Sequence, residues 1–565
     1  MKALTRKSNR ILDPPPSLDP VDTLALADTH DVRGNRRSGT PTLIPLSPPP
    51  WHLARPGDQS GEDPGTSSVF YIHMLLRNTL FLHCLRLFIL LQTSLTLHLA
   101  TAQELTDTSS MSTNGEPQKF QSPLDVEKYP GTPEGLNLEQ VHIYVRHGER
   151  TPVGVRMADQ PANIPEQWIM CKTARRMQAS VHGMPEIGDQ FLESRKIVER
   201  KDGTSMPGEC LLGELTDLGR KSTYDYGTSL RKLYIDKLGF LPDTLEKADQ
   251  VYFRTTNMPR TTESLQHIIH GLYPTSKCHP NAIPPILVRN GRDENLIGNT
   301  SNCKRLEVLL VGFAQGALFL RLFESSYAHV IPLAAASAFN PTLEPLDKKL
   351  SKYIGGKPVR VDGKPRASGI MDTIRAAAAH NIKVPPEFED KGVVDTIERA
   401  VIAEWFSDKT EEVRRLGMGR LLDDLSRKIQ HKVEYGEKDP LKVLVHATHD
   451  TGLAALCSTL DVFDEKWPAF TASITFELFK RTADPQSSSI MQTVMSPFRT
   501  MTKPEYFVRM RYQNKNMVLP MCADEGKHLS GSPEFCTLTA FRERIKELTP
   551  VDWDAECAPG GRASR

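Results

Sequence analysis

The chain has 565 residues, more than one ordinary domain, and 70 basic against 69 acidic residues give it a net charge of +1. That balance gives no electrostatic case for a nucleic-acid partner, and 39% hydrophobic with 25% charged residues is a soluble globular composition.

Residues 1–73 carry proline clusters such as Pro14-Pro15-Pro16 and Pro48-Pro49-Pro50, and they lack a periodic apolar face. Too little apolar surface is available there to offset ordering entropy, so a disordered extension is expected. Residues 74–102 change character, with Arg77, an apolar run through Leu87-Phe88-Ile89-Leu90-Leu91, and a closing Ala100-Thr101-Ala102. Basic start, apolar centre and small-residue end predict a signal peptide, or a signal anchor if it stays uncleaved, with translation starting at Met74. The expected location is the secretory pathway or outside the cell. The alternatives are mitochondrial or membrane-anchored, because no acidic residue occurs between Asp63 and Glu104. Residues 103–135 read as a linker.

Val141-His142-Ile143-Tyr144-Val145 is a β-branched and aromatic run that predicts a buried strand. Arg146-His147-Gly148-Glu149-Arg150-Thr151-Pro152 follows, so the strand ends and His147 falls in the loop at its carboxyl end, where open α/β sheets bind ligands. An imidazole is a nucleophile when one nitrogen is unprotonated and the other is held by a hydrogen bond. Arg146 and Arg150 are permanent cations whose donor forks match phosphoryl oxygens, which implies an anionic substrate, most simply a phosphate monoester. Several helices are expected between 153 and about 250, one bearing Lys172, Arg175 and Arg176, and another capped at Leu215-Thr216-Asp217-Leu218-Gly219.

A second short strand, Val251-Tyr252-Phe253, runs into Arg254, and a helix is expected after Pro259, with Arg260 at its start. Asn299-Thr300-Ser301 is an N-glycosylation sequon. From about 302 to 432 the pattern is mostly helical and predicts a smaller cap inserted into an α/β core, with apolar stripes such as Val393, Ile397, Ala400 and Val401. Residues 316–337 interrupt that pattern and read as an insertion or an unspliced intron; an uninterrupted transcript encoding them would refute the intron. A third apolar strand, Leu441 to Val445, ends at His446-Ala447-Thr448-His449-Asp450, and Leu453 to Cys457 opens a buried helix. His446 and His449 also form H-x-x-H, but residues three apart on a strand face opposite ways, so no metal is assigned and His446 is read as a buried structural histidine. The alternating segments 474–479 and 506–512 predict antiparallel edge strands of a mixed sheet. Eight cysteines follow Ala102, an even number compatible with disulfides, and Cys457 reads as a buried free thiol.

Arg146-His147-Gly148-x-Arg150-x-Pro152 resembles the signature of the histidine acid phosphatases, and His449-Asp450 resembles the second signature of that family. The resemblance covers roughly residues 136–560 and implies an α/β fold with a mixed, mainly parallel central sheet flanked by helices and a helical cap that shapes the cleft. It implies His147 as nucleophile and Asp450 as acid, with Arg146, Arg150, Arg260 and His449 on the phosphate and Arg254 in support. The proton that Asp450 must carry implies an acidic optimum. The C-terminal resemblance implies Cys522 with Cys536 and Cys303 with Cys557. The expected partner is a small phosphorylated substrate, and no cofactor is required by this chemistry. A phytase or a lysophosphatidate phosphatase shares these motifs, and a silent phosphate-binding protein is the non-enzymatic alternative.

Overall fold

In the computed structural model, residues 124–173, 176–179, 192–315, 339–482 and 504–559 are described. The expected extension (1–73), leader (74–102), most of the linker and the 316–337 segment lie outside them. β1, Leu136–Arg146, is buried from Val141 to Arg146, as a strand covered on both faces must be. It pairs in parallel with β6, Val443–Thr448, and in antiparallel with β7, Ser473–Arg481. On the far side of β6 lie β4, Val251–Thr255, and β5, Ile286–Val288, both parallel. β8, Tyr506–Tyr512, and β11, Ser532–Thr537, continue the antiparallel half with the short strands β9, Lys515–Met517, and β10, His528–Leu529. The order is β10-β11-β8-β7-β1-β6-β4-β5, with β9 paired to β8. The expected mixed α/β sheet flanked by helices is present, and its core strands β1, β6, β4 and β5 run parallel.

Helices cover both faces. Asp217–Arg231 and Pro259–Leu272 pack over Val141, Ile143, Val145 and Phe253 through Tyr226, Leu230, Leu265 and Ile268. On the opposite face, Arg420–Tyr435, Asp450–Thr459 and Leu538–Leu548 cover Tyr144, Phe476 and Val508. A second core forms away from the sheet, where Ala367–Ala379 and Lys391–Phe406 enclose Ile370, Ile374, Ile397 and Val401. Met157, Ile164, Trp168, Cys171 and Cys210 join that cluster, so this body is stitched from two chain segments. The helical stretch expected as a single cap is therefore divided in its packing, since Leu421, Leu422, Leu425 and Ile429 belong to the sheet's core.

Two further expectations are corrected. The described residues between 153 and 216 are mostly irregular rather than helical, and β2, Arg176–Ala179, pairs in antiparallel with β3, Leu192–Arg195. Prolines and glycines break the helical period there, and a Cys171–Cys210 disulfide closes the segment on itself. β7 and β8 are antiparallel but interior rather than edge strands. Their charges pair with one another instead of facing water: Glu477 takes Arg509 at 2.7 Å and Arg511 at 3.0 Å, with none of the three exposed. Cys303–Cys557 and Cys522–Cys536 are paired, and Cys457 is buried and free.

Candidate active site

The carboxyl ends of β1, β6 and β4 are laced together by their own backbone. Arg146 lies opposite Thr448 and Thr255 opposite Ala447 in the parallel register. Beyond the strands, the His147 N–H donates to the Thr448 carbonyl at 3.1 Å, and the Thr256 N–H to the Ala447 carbonyl at 3.3 Å. The three polar turns that follow therefore start level with one another.

The loop after β1 is seated on the amino end of Asp217–Arg231, where the Thr216 hydroxyl accepts from the Gly219 N–H. Glycine is required on both sides of that contact. A Cβ on Gly148 would lie 2.4 Å from the Gly219 carbonyl oxygen, and one on Gly219 would lie 2.1 Å from that of Glu149. The Gly148 N–H donates to the Ser264 hydroxyl at 3.1 Å, which ties the same loop to Pro259–Leu272.

His147 is buried, and its Nδ1 lies 2.8 Å from its neighbour's carbonyl, that of Gly148. A carbonyl only accepts, so Nδ1 carries the proton and Nε2 keeps the lone pair. Burial lowers the basicity of this imidazole well below the usual range, and Arg260, Arg146 and Arg150 lower it further. His449 stands 5.6 Å away between ring centroids, its Nε2 3.0 Å from the Thr256 hydroxyl. Burial and then Arg260 push it down to about 3, so both histidines are neutral in mild acid.

Three guanidiniums surround this pair. Arg146 donates through Nη1 to the Pro468 carbonyl at 2.6 Å, pairs through Nη2 with Asp450 at 2.5 Å, and lies 4.1 Å over the Phe470 ring. Arg150 is held by Asp372 of Ala367–Ala379 at 2.8 Å. Arg260, at the start of Pro259–Leu272, has no carboxylate partner in the described structure. The Nε atoms of all three are buried without a hydrogen-bond partner among the described residues. Burial and mutual repulsion push Arg146 and Arg260 down to about 10, so both remain charged. Asp450 opens the helix after β6 and accepts the Thr451 N–H at 2.8 Å. Burial would raise its pKa, but Arg146 and Arg150 outweigh that and hold it down at about 2. Such an array can bind one phosphoryl group by charge-assisted donors and present a nitrogen lone pair to it.

Residues 137–513 match the sequence profile of the histidine phosphatase superfamily (branch 2). The chain belongs to that superfamily. A probable acid phosphatase of Schizosaccharomyces pombe is 34% identical over 464 residues, covering 76% of this chain and 95% of the relative. The lysophosphatidic acid phosphatase type 6 of Homo sapiens is 24% identical over 441 residues, with 75% and 86% covered. Among solved structures, the apo form of Hafnia Alvei phytase covers 74% of this chain and 98% of its own at 14% identity, with a TM-score of 0.44. This histidine phosphatase is a phosphomonoester hydrolase of the acid phosphatase type.

Of the residues singled out in the sequence, Arg146, His147, Arg150, Arg260, His449 and Asp450 gather here. Arg254 lies apart, buried against Glu294 at 2.5 Å and Asn295 at 2.8 Å, where it braces the end of β4. His446 stacks on Tyr144 with centroids 4.6 Å apart. Asn299, the expected glycosylation site, is buried in the folded chain. Its Nδ2, the atom a glycan would occupy, is buried and donates to the carbonyls of Gly291 at 2.7 Å and Glu294 at 3.0 Å. Sequence reasoning missed Asp372, Trp467, Pro468 and Phe470, which touch Arg150, Asp450 or Arg146. The Trp467-Pro468 pair just before β7 is the one signal that could have pointed to them.

Proposed function

We propose that hydrolysis proceeds in two steps through a phosphohistidine at His147. Nε2 attacks phosphorus, the phosphorus–oxygen ester bond breaks, and the departing alkoxide takes a proton from Asp450. Water then attacks phosphorus and gives a proton back to Asp450 as the nitrogen–phosphorus bond breaks, releasing phosphate and neutral His147. Arg146, Arg150, Arg260 and His449 hold the three transferring oxygens. The observation that carries this reading is the Nδ1 contact to Gly148, which leaves Nε2 unprotonated inside the guanidinium ring.

Asp450 is ionised in the resting site because Arg146 grips it. A phosphate that draws Arg146 away removes that cation, so the carboxyl becomes easier to protonate once substrate is bound. Below a second pKa of about 6 a phosphate monoester is a monoanion and can itself deliver the proton. Both effects favour mild acid. Replacing Asp450 with Asn is expected to cost roughly 10²-fold or more on an alkyl phosphate and far less on p-nitrophenyl phosphate. Equal losses on both would sink the acid role.

The rim supports a substrate with an apolar organic part over a polyphosphorylated inositol. Val153 (39% exposed) and Leu212 (51%) flank Gly213, whose Cβ position would lie 3.8 Å from Arg260 Nη1. The cap cations nearby are already paired, Arg375 with Glu398 at 2.7 Å and Arg156 with Asp372 at 3.9 Å, which leaves little for additional phosphates. Steady-state rates should rank lysophosphatidate above inositol hexakisphosphate; the reverse order would overturn this preference. The disulfides support passage through the secretory pathway. No helix among the described residues is long and apolar enough to cross a membrane.

A further inference from the structure

Arg146 is not the only group that reaches the carboxyl of Asp450. Trp467 donates its indole N–H to Oδ2 at 3.1 Å, the same oxygen that Arg146 holds at 2.5 Å. The indole is fixed from behind. Its main-chain N–H donates to Glu398 at 2.6 Å, Glu398 is anchored by Arg375, and the ring packs on Trp405 and Phe406 with centroids 6.0 and 5.8 Å away. The same short stretch supplies the Pro468 carbonyl and the Phe470 ring that seat Arg146. It therefore sets both members of the Arg146–Asp450 pair, and two cap helices hold it in place.

We propose that Trp467 is a positioning residue for proton donation, its indole N–H aiming the Asp450 carboxyl at the ester oxygen and setting how readily that carboxyl releases its proton. This inference rests on Asp450 being the acid. A donor to the ionised form favours that form, so Trp467 makes Asp450 the stronger acid. The other groups facing this carboxyl are Arg146 at the end of β1, Arg150 from the loop after it, Arg260 from Pro259–Leu272, and His449 beside it. Glu398 and Arg375 lie on the far side of the indole. The indole is neutral, so its donor can be removed without changing the charge of the site.

Trp467→Phe keeps an aromatic body and deletes the N–H. The alkaline limb of kcat, which reports the substrate-bound enzyme, is expected to move up by roughly one pH unit, the size expected for losing one hydrogen bond to a charged group. At the optimum, the ratio of kcat/KM on p-nitrophenyl phosphate to that on an alkyl phosphate should rise about tenfold, part of what a general acid contributes. That ratio does not depend on the folded fraction, so a destabilised variant still gives an answer. Trp405→Phe loosens packing on the same indole without touching Asp450, and it should leave the ratio unchanged. Asp450→Asn is measured alongside. If Asp450→Asn discriminates between the esters while Trp467→Phe moves neither ratio nor limb, the positioning role is overturned and the acid role stands. If Asp450→Asn leaves the ratio unchanged, the acid role itself fails and this inference with it.

Discussion

Replacing Glu477 with Gln tests how the antiparallel half of the sheet is held. Glu477 is fully buried and accepts from Arg509 Nε at 2.9 Å, Arg511 Nη2 at 3.0 Å, Tyr234 at 3.0 Å and Tyr129 at 3.1 Å. Gln would keep the shape but leave two buried guanidiniums without a counter-charge and turn two donors toward donors. Breaking a buried pair from one side costs about 3–5 kcal/mol. The pKa gives a second route to the size. Burial alone would raise this carboxyl, but Arg511 and Arg509 hold it at about 2, down from 4.5. At about 1.4 kcal/mol per pH unit, that fall corresponds to roughly 3 kcal/mol of stability. The group's folded pKa is depressed, so its contribution is complete above about 4.5 and is lost as pH falls toward 2. Urea unfolding followed by intrinsic fluorescence should show Glu477→Gln less stable by about 3 kcal/mol at pH 6, a large part of a typical 5–15. The gap should narrow as pH drops below 4.5, because protonated Glu477 resembles Gln. An unchanged midpoint at pH 6, or a gap that persists undiminished near pH 2.5, would refute this reasoning.

Further predictions concern the site and its surroundings. Gly219→Ala should cut kcat by tenfold or more while circular dichroism stays near wild type, because its Cβ drives against the Glu149 carbonyl and shifts His147; full activity would show that the loop has room. Because the histidines are held neutral by burial and Arg260, kcat/KM should show no acid limb near pH 6.5, and a midpoint there would place a protonatable His147 or His449 in the free enzyme. Asn299→Gln, in protein secreted by eukaryotic cells, should leave electrophoretic mobility unchanged, whereas a glycan-sized shift would show that this amide is modified before the chain folds.

The strands that carry the site were legible because each is a short apolar run ending abruptly in charge, the pattern expected of a buried strand whose end reaches a polar site. His147 between Arg146 and Arg150 could be read from residue type and spacing, while Asp450, His449 and Arg260 took their roles from the resemblance to the histidine acid phosphatases. The residues that hold them could not. Asp372 and Trp467 are ordinary in their local sequence, and they acquire meaning only when the cap and the loop before β7 fold over Arg150 and Asp450. β7 and β8 read as edge strands because Glu477, Arg509 and Arg511 resemble a solvent face. Nothing local reveals that three charges on neighbouring strands will neutralise one another in the interior. The division of the cap has the same cause, since the apolar stripe of Arg420–Tyr435 fits either body and its burial against the sheet is a tertiary choice. The irregular course of the described residues between 153 and 216 was hidden because composition does not announce the Cys171–Cys210 pairing.

The most direct measurement is capture of the covalent intermediate. Protein mixed with a phosphorus-labelled aryl phosphate and quenched in alkali within milliseconds should carry label on the peptide containing His147, and His147→Ala should carry none. Label on another residue, or turnover by His147→Ala without any bound label, would contradict nucleophilic attack by this imidazole.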